Sequence, residues 1–231
     1  MQLAALTLPV GEGRTIEMSM GCYLIETADD RYILIDSGLA PEDRMSTPTP
    51  RFESNVIEQL ALLGLKPEQI DMVICTHFDV DHAGYHDHFP QAEFVVQHSH
   101  YELARNGHGR LQKARPHWDH PSLRYRFVDG DIELLPGMTL FETSGHVAGH
   151  QSVLVRLPHT GAVLLAIDAV ILERAFTPDR KPGPYDENEA DLIASTRKLQ
   201  AIAARENAAL VVFGHDGTQW DSLKKSPEFY D

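Results

Sequence analysis

Apolar and polar residues alternate along the chain in short blocks. Six blocks of four or five mostly apolar, often β-branched residues have the composition of buried strands. The predicted strands cover residues 32–35, 72–75, 93–96, 151–155, 163–167 and 210–213. Because helical segments lie between these strands, the pattern indicates an α/β protein.

Two segments have the apolar periodicity of amphipathic helices. In residues 56–63 the apolar side chains fall on one face, and Gly64 follows as a helix stop. Residues 189–206 carry acidic residues in the first turn. The apolar face of this second helix is formed by Leu192, Leu199 and Ile202. A third helix is predicted after His98.

Three polar connections are long for a compact domain, at residues 40–52, 106–123 and 173–187. Long ordered loops often border a binding site. The chain shows no repeat of fixed period and no clear linker. A single domain over residues 1–231 is the simplest prediction.

Composition and charge narrow the function further. The formal net charge of −14 argues against a nucleic-acid partner, because phosphate contacts need clustered Lys and Arg. The two cysteines form no CxxC pair, which argues against a disulfide framework and a thiolate zinc site. Neither a basic leader with an apolar stretch nor a membrane-length apolar run occurs, so a soluble, cytoplasmic protein without membrane contacts is expected.

Four apolar runs lead directly into a His or an Asp, in MVICTHFDVDH, LFETSGH, LLAIDA and LVVFGHD. In α/β architectures, ligand-binding groups collect at the carboxyl ends of strands, so residues distant in the chain can converge there. The seven candidate metal ligands are His77, Asp79, Asp81, His82, His146, Asp168 and His215.

Imidazole and carboxylate groups bind zinc, iron, manganese and cobalt when no thiolate is offered. Seven groups exceed the needs of one four-coordinate ion, and they suit two adjacent ions that share a bridging carboxylate. An extended segment would place His77, Asp79 and Asp81 on one side, with His82 turned toward a neighbouring ion. A cap or turn role is the alternative for an isolated His or Asp at a strand end.

In this order, THFDVDHAG, SGHVAGH, AIDAV and FGHD resemble the motifs of the metallo-β-lactamase superfamily, from about Gly21 onward. The stretches GCYLIET, YILIDSGL, LLGLKPEQID and FGHDGTQWDSLKKSPEFYD look most like the N-acyl-homoserine lactonase-type branch. This resemblance implies a four-layer αββα sandwich with a dinuclear metal centre at one edge of the paired sheets.

The resemblance also implies roles for individual residues. The first metal would be bound by His77, residue 79 and His146, the second by Asp81, His82 and His215, and both by Asp168. Asp36 would orient a ligand histidine, with a turn before Ser37 as an equal alternative. His150 would lie behind the ligands without binding metal.

Asp79 departs from the family's usual HxHxDH motif. As a ligand it would make the first position more anionic, which suits manganese, iron or cobalt better than an all-imidazole set does. The predicted cofactors are therefore two divalent ions, with zinc preferred and the other three metals as alternatives. In the other interpretation Asp79 is not a ligand, and one metal position is weak or empty.

A second departure follows Asp168. Related lactonases commonly carry a tyrosine three residues beyond the bridging aspartate, where this chain has Ile171. Tyr185 or a residue of the 106–123 loop is the candidate substitute. Phe52, Trp118 and Phe176 are candidates for an acyl-chain pocket, with local packing as the alternative.

The resemblance predicts a hydrolase that opens a lactone or cleaves an ester, in the manner of N-acyl-homoserine lactonases. A hydroxide shared by the two metals would attack the carbonyl, and Asp81 would protonate the leaving alkoxide. A small-molecule lactone or ester is the expected partner, and a homodimer is possible. The alternatives are a diiron oxidoreductase of the same superfamily and a non-catalytic small-molecule-binding relative.

Overall fold

The computed structural model describes residues 1–9, 15–43 and 51–231. The strands are β1 (Gln2–Pro9), β2 (Thr15–Gly21), β3 (Tyr23–Glu26), β4 (Tyr32–Ile35), β5 (Arg51–Phe52), β6 (Ile70–Ile74), β7 (Glu93–Gln97), β8 (Arg124–Val128), β9 (Ile132–Leu135), β10 (Met138–Glu142), β11 (Gln151–Leu157), β12 (Gly161–Ile167) and β13 (Leu210–Phe213). The α-helices are α1 (Val56–Leu62), α2 (Val80–Ala83), α3 (His98–Arg105), α4 (Arg115–Trp118), α5 (Glu189–Arg205) and α6 (Gly217–Ser222).

Two five-stranded sheets form the centre of the fold. The first has the order β3-β4-β6-β7-β8, in which β4, β6, β7 and β8 are parallel. The second has the order β13-β12-β11-β10-β9, in which only β12 and β13 pair in parallel. Strands β2, β1 and β5 form a third, smaller antiparallel sheet.

The side chains of the central strands are buried on both faces. Ile33 and Ile35 of β4 share a buried cluster with Val153 of β11 and Leu165 of β12, which places this cluster between the sheets. Leu34, which points the opposite way, lies in a separate cluster. Since successive side chains of a strand alternate between faces, each sheet requires a helical cover on its outer side.

Helices provide those outer covers. Val56 and Leu60 of α1 share the cluster of Leu34 on the first sheet, and Leu199 and Ile202 of α5 pack on the outer face of the second. Helix α1 begins at a capping box formed by Asn55 and Glu58. The resulting layer order is the predicted αββα sandwich.

All six predicted strands and all three predicted helices are present, with small shifts at their ends. Strand β6 ends at Ile74 and leaves Cys75 outside, whereas β11 continues two residues beyond its predicted end to Leu157. Helix α1 ends one residue early at Leu62, and Gly64 adopts a φ of +76° that favours glycine. Among the described helices, none combines the length and apolar character needed to cross a membrane.

The cover formed by α5 leads to a stability prediction. Leu199→Ala should lower the free energy of unfolding by about 2–5 kcal/mol, because it leaves a cavity under a fully buried side chain. Leu62→Ala, at a position that is 76% exposed on α1, should change it by less than about 0.5 kcal/mol. Urea denaturation of both variants measures the difference. Equal effects would contradict the assigned packing.

Candidate metal centre

The candidate ligands lie where strands of both sheets end. His77 follows β6, Asp168 follows β12 directly, and His215 follows β13. His146 lies in the connection between β10 and β11. These ends meet at one edge of the sandwich, as the sequence predicted.

Asp81 and His82 reach this edge by a turn that the sequence did not predict. Asp79 has extended backbone angles, and it is the N-cap of the short helix α2, which contains both residues. The prediction of an extended segment through Asp81 is therefore wrong, because Val80 already begins the helix. This turn directs Asp81 and His82 toward the second metal position while Asp79 faces the first.

Four ligand atoms surround the first candidate position. The Nε2 atoms of His77 and His146 lie 3.4 and 3.3 Å from Oδ2 of Asp79. Oδ2 of Asp168 lies 3.4 Å from Nε2 of His146 and 4.0 Å from Nε2 of His77. Around a tetrahedral ion with bonds of about 2.0–2.1 Å, neighbouring ligand atoms are about 3.3 Å apart. The four side chains therefore have the spacing of a metal-binding set.

A second set lies beside the first and shares Asp168 with it. Nε2 of His82 lies 3.5 Å from Oδ1 of Asp168 and 3.8 Å from Oδ2 of Asp81. Nε2 of His215 lies 3.0 Å from Oδ2 of Asp168 and 3.6 Å from Oδ2 of Asp81. Asp168 thus stands between the two groups, in the place of a bridging carboxylate.

The imidazoles of His77, His82, His146 and His215 all turn Nε2 toward the site. The reason is that a hydrogen-bond acceptor contacts Nδ1 of each ring. Nδ1 of His82 contacts Asp36 at 2.9 Å, and Nδ1 of His146 contacts Asp186 at 3.1 Å. Nδ1 of His215 lies 2.8 Å from the backbone carbonyl oxygen of Ser19. Because a carbonyl oxygen can only accept, Nδ1 of His215 is the donor. Nδ1 of His77 lies 3.0 Å from Oγ1 of Thr76, whose hydroxyl is donated to Asp36. Such partners fix the tautomer that presents a lone pair to a metal.

Several of the inward atoms have no hydrogen-bond partner within the described residues. They are Nε2 of His77, Nε2 of His82 and Oδ1 of Asp168. A buried polar atom without a partner costs free energy, and it is rare in native proteins unless an ion or water satisfies it. The donor set, its spacing and these unpartnered atoms all fit a pair of divalent ions.

Asp36 connects three parts of the site. It accepts from the backbone and hydroxyl of Thr76 at 2.8 and 2.7 Å and contacts His82. Its φ of +58° also makes it a turn residue before Ser37. The two interpretations predicted for Asp36 therefore describe the same residue, which turns the chain and orients His82.

Asp186 supports His146, and sequence reasoning missed it. Its Oδ2 accepts from the backbone of Gly183 at 2.7 Å and lies 3.2 Å from the guanidinium of Arg180. Both charged side chains are almost fully buried. The only signal in the sequence was the length of the 173–187 loop, which places Asp186 against the site.

The backbone around Asp168 has little room for change. Ile167 adopts a φ of +51°, which is unfavourable by about 1–3 kcal/mol for a β-branched residue. A Cβ atom at Gly214 would lie 2.6 Å from Oδ1 of Asp168, so a side chain there would displace the carboxylate. The backbone N–H of Asp168 donates to Nε2 of His150 at 3.2 Å. His150, whose Nδ1 contacts Thr143, supports the site from behind, as predicted.

Arg110 of the 106–123 loop reaches the first position. Its Nε donates to both oxygens of Asp79, at 2.7 and 2.8 Å, and its Nη2 contacts Oδ2 of Asp79 and Nε2 of His146. Burial raises the pKa of Asp79, but His146, His77 and Arg110 outweigh it and hold that pKa well below its usual value. The sequence flagged the loop without identifying this residue.

The imidazoles of the second position are basic. Burial lowers the pKa of His82, but Asp168, Asp81 and Asp36 outweigh it and raise the pKa to about 10. For His215, Asp168 and Asp81 outweigh burial and raise the pKa to about 9. The pKa of Asp168 shifts in the opposite direction. Burial raises it, but His215 and His82 outweigh burial and hold the pKa well below its usual range.

Two of the three aromatic residues proposed for an acyl pocket pack inside the protein. Trp118 is fully buried and stacks on Phe78 at 5.0 Å, in agreement with the local-packing alternative. Phe176 packs against Phe213 at 5.5 Å, in agreement with local packing. The side chain of Phe52 lies outside the described part of the chain. Tyr185 is 45% exposed and contacts Arg110 through its backbone oxygen.

Two paired sheets with adjacent His/Asp clusters at one edge define a dinuclear divalent-metal protein. The family model of the metallo-β-lactamase superfamily matches residues 22–215, and the chain belongs to this superfamily. Its relatives include the N-acyl homoserine lactonase of a Bacillus species, at 30% identity over 94% of this chain and 89% of the relative. N-acyl homoserine lactonase AttM of Azorhizobium caulinodans is 32% identical, over 96% of this chain and 90% of the relative.

Solved structures agree with these relatives. The crystal structure of a quorum-quenching N-acyl homoserine lactone lactonase is similar with a TM-score of 0.86 and 27% identity, over 100% of this chain and 96% of that one. The structure of an N-acyl homoserine lactone hydrolase with N-hexanoyl-L-homoserine at its catalytic metal centre has a TM-score of 0.84 and 26% identity. The match covers 99% of this chain and 96% of that one. The predicted resemblance to the superfamily and to its lactonase branch is confirmed.

The pKa values of the second position predict proton release. At pH 7.5 and without metal, His82 and His215 hold protons, because their pKa values of about 10 and 9 lie above that pH. Zinc must displace these protons, so we expect about two to be released and the affinity to rise with pH toward 10. Calorimetric titration in buffers of different ionisation enthalpy counts the protons. Binding without proton release would contradict the assignment of these imidazoles as ligands.

The support of His146 by Asp186 predicts a loss of metal affinity. Asp186→Asn should weaken binding at the first position about 10- to 100-fold, because the amide holds the imidazole less firmly than the carboxylate does. Equilibrium dialysis with metal analysis measures this loss. Asp129→Asn, at a side chain that is 84% exposed, is the matched control and should bind metal normally. Equal affinities in the two variants would disprove the role of Asp186.

Proposed function

We propose that this protein is a metal-dependent hydrolase that opens N-acyl-homoserine lactones. The observation that carries the proposal is the pair of His/Asp sets that share Asp168 and turn four Nε2 atoms toward one edge of the sandwich. The relatives and solved structures of similar sequence supply the substrate class, because they are lactonases or lactone hydrolases.

The ligand assignment is part of this proposal. His77, Asp79 and His146 hold the first metal, Asp81, His82 and His215 hold the second, and Asp168 bridges them. The spacing of the ligand atoms and the unpartnered Nε2 atoms of His77 and His82 support this assignment. Bound divalent ions supply Lewis acidity and lower the pKa of a water to near neutrality.

The protein's own residues then orient and move protons. Asp36, Asp186 and the carbonyl of Ser19 hold the imidazoles so that their lone pairs point inward. Asp81 is the proton carrier, because its side chain is 20% exposed while that of Asp168 is 5% exposed. A carboxylate at the solvent side of the site can receive a proton from water and deliver it to the leaving alkoxide.

Finer features complete the proposal. Zinc is the expected native metal, and the anionic first position also accepts manganese, iron or cobalt. Residues 1–231 act as one hydrolase domain in the cytoplasm, as a possible homodimer, without nucleic-acid or membrane partners. The substrate is a small lactone or ester. Ile171 stands where related lactonases carry a tyrosine, and a residue of the loops around Arg110 and Tyr185 takes over the role of that tyrosine.

The function is tested on zinc-loaded protein with a panel of acyl-homoserine lactones, aryl esters and phosphodiesters. Lactone opening should dominate, and chelation followed by zinc should remove and restore it. Asp81→Asn should lower kcat about 100-fold or more, because it removes the proton carrier, whereas Asp129→Asn should leave kcat unchanged. Redox turnover by iron-loaded protein would favour the oxidoreductase alternative. Metal uptake without any turnover would favour a binding protein, and either result would contradict the proposal.

A further inference from the structure

Arg110 occupies an unusual place for a cation. Its guanidinium donates to both oxygens of Asp79 and contacts Nε2 of His146, and these atoms belong to the first metal position. Its other nitrogen, Nη1, donates to the backbone oxygens of Tyr185 and His146 and lies 3.8 Å from Oε1 of Glu187. The side chain is 23% exposed.

The electron pairs of these acceptors decide what can bind beside Arg110. A carboxylate oxygen has two lone pairs, so Asp79 can accept from Arg110 and still coordinate a metal. A neutral imidazole has one acceptor nitrogen. Because Nδ1 of His146 donates to Asp186, Nε2 carries the only lone pair of that ring. It can receive either the Arg110 hydrogen bond or a metal ion.

The second position differs in this respect. Nε2 of His82 lacks a partner among the described residues, and Nε2 of His215 faces Asp168 and Asp81. The contacts of the Arg110 guanidinium fall instead on Asp79, His146 and the loop at 185–187. The competition with a cation of the protein is therefore confined to the first position.

We propose that Arg110 competes with the first metal ion for the lone pair of His146, so that the first position binds its ion more weakly than its ligands alone would. The first position fills only when the guanidinium leaves Nε2 of His146. This inference rests on the ligand assignment of the proposed function.

Arg110 can give way without leaving the site. The backbone oxygen of Tyr185 and the carboxylate of Glu187 lie on the side of the guanidinium that carries Nη1. Because the Arg110 side chain is partly exposed, the guanidinium has room to rotate while Nη1 keeps its contacts with Tyr185 and Glu187. The pair with Asp79 can persist as well, since that carboxylate has lone pairs to spare. The guanidinium therefore remains beside the metal ion for which it has made way.

The test titrates chelator-stripped protein with zinc by calorimetry, together with equilibrium dialysis at graded free zinc. Wild type should show two binding steps of different affinity. Arg110→Met should tighten, by about ten-fold or more, the step that His146→Gln removes, because the metal no longer displaces a charge-assisted contact. Arg105→Met is the matched control, since Arg105 pairs with Asp119 on the surface at 2.6 Å, and it should leave both steps unchanged.

If that step is unchanged or weaker in Arg110→Met, the inference is overturned and Arg110 merely supports Asp79. If Arg110→Met does not fold without metal, Arg110→Lys decides, because it keeps the charge next to Asp79 but lacks the planar fork. Tighter zinc binding by Arg110→Lys supports the competition, and unchanged or weaker zinc binding overturns it. His146→Gln separates this result from the proposed function. If His146→Gln retains both steps, the ligand assignment itself is wrong, whatever Arg110→Met does.

Discussion

The buried carboxylate of Asp168, between two groups of imidazoles, is the interaction on which the site depends. Its oxygens lie within 3.0–3.5 Å of the Nε2 atoms of His215, His146 and His82, which come from separate parts of the chain. A carboxylate that is 5% exposed must be compensated by positive charge. Ile167 precedes this carboxylate with a φ of +51°, and Gly214 leaves room for Oδ1, since a Cβ atom there would lie 2.6 Å from it.

The site is supported by a layer of residues that do not face the two candidate metal positions. Asp36 links His82 to Thr76, which in turn contacts His77, so one carboxylate orients a ligand of each position. Asp186 performs the same task for His146 and is itself held by Arg180. The orientation of the candidate ligands is thus set largely by side chains that do not face the candidate metal positions.

The core of the fold could be read from the sequence, and so could the convergence of the His and Asp side chains at one edge, because both depend on local patterns. Apolar runs predicted the strands, and the His or Asp at the ends of those runs predicted where the chain converges. The contributions of Arg110 and Asp186 could not be read in the same way. Both lie in long loops, and their positions depend on how those loops fold back over the sheet edge, for which no local pattern exists. The short helix after Asp79 was missed for a similar reason, since four residues carry too little periodicity.

Asp79 and Arg110 are best understood together. A carboxylate in place of an imidazole adds one negative charge to the first position, and the guanidinium of Arg110 returns one positive charge to it. The pair therefore leaves the net charge of the site as an imidazole would have left it. The positive charge of Arg110 can also move away from the first position, whereas the ring of an imidazole ligand stays there. Asp79, the unusual residue of the motif, and Arg110, the unpredicted residue of the loop, thus form one ion pair at the first position.

Anomalous diffraction from zinc-loaded crystals tests this account most directly. It should show two zinc peaks, one on each side of Asp168, with the guanidinium of Arg110 withdrawn from Nε2 of His146. Two peaks with Arg110 still donating to that nitrogen would contradict the competition. An absence of metal between His77, Asp79 and His146 at saturating zinc would contradict the dinuclear assignment itself.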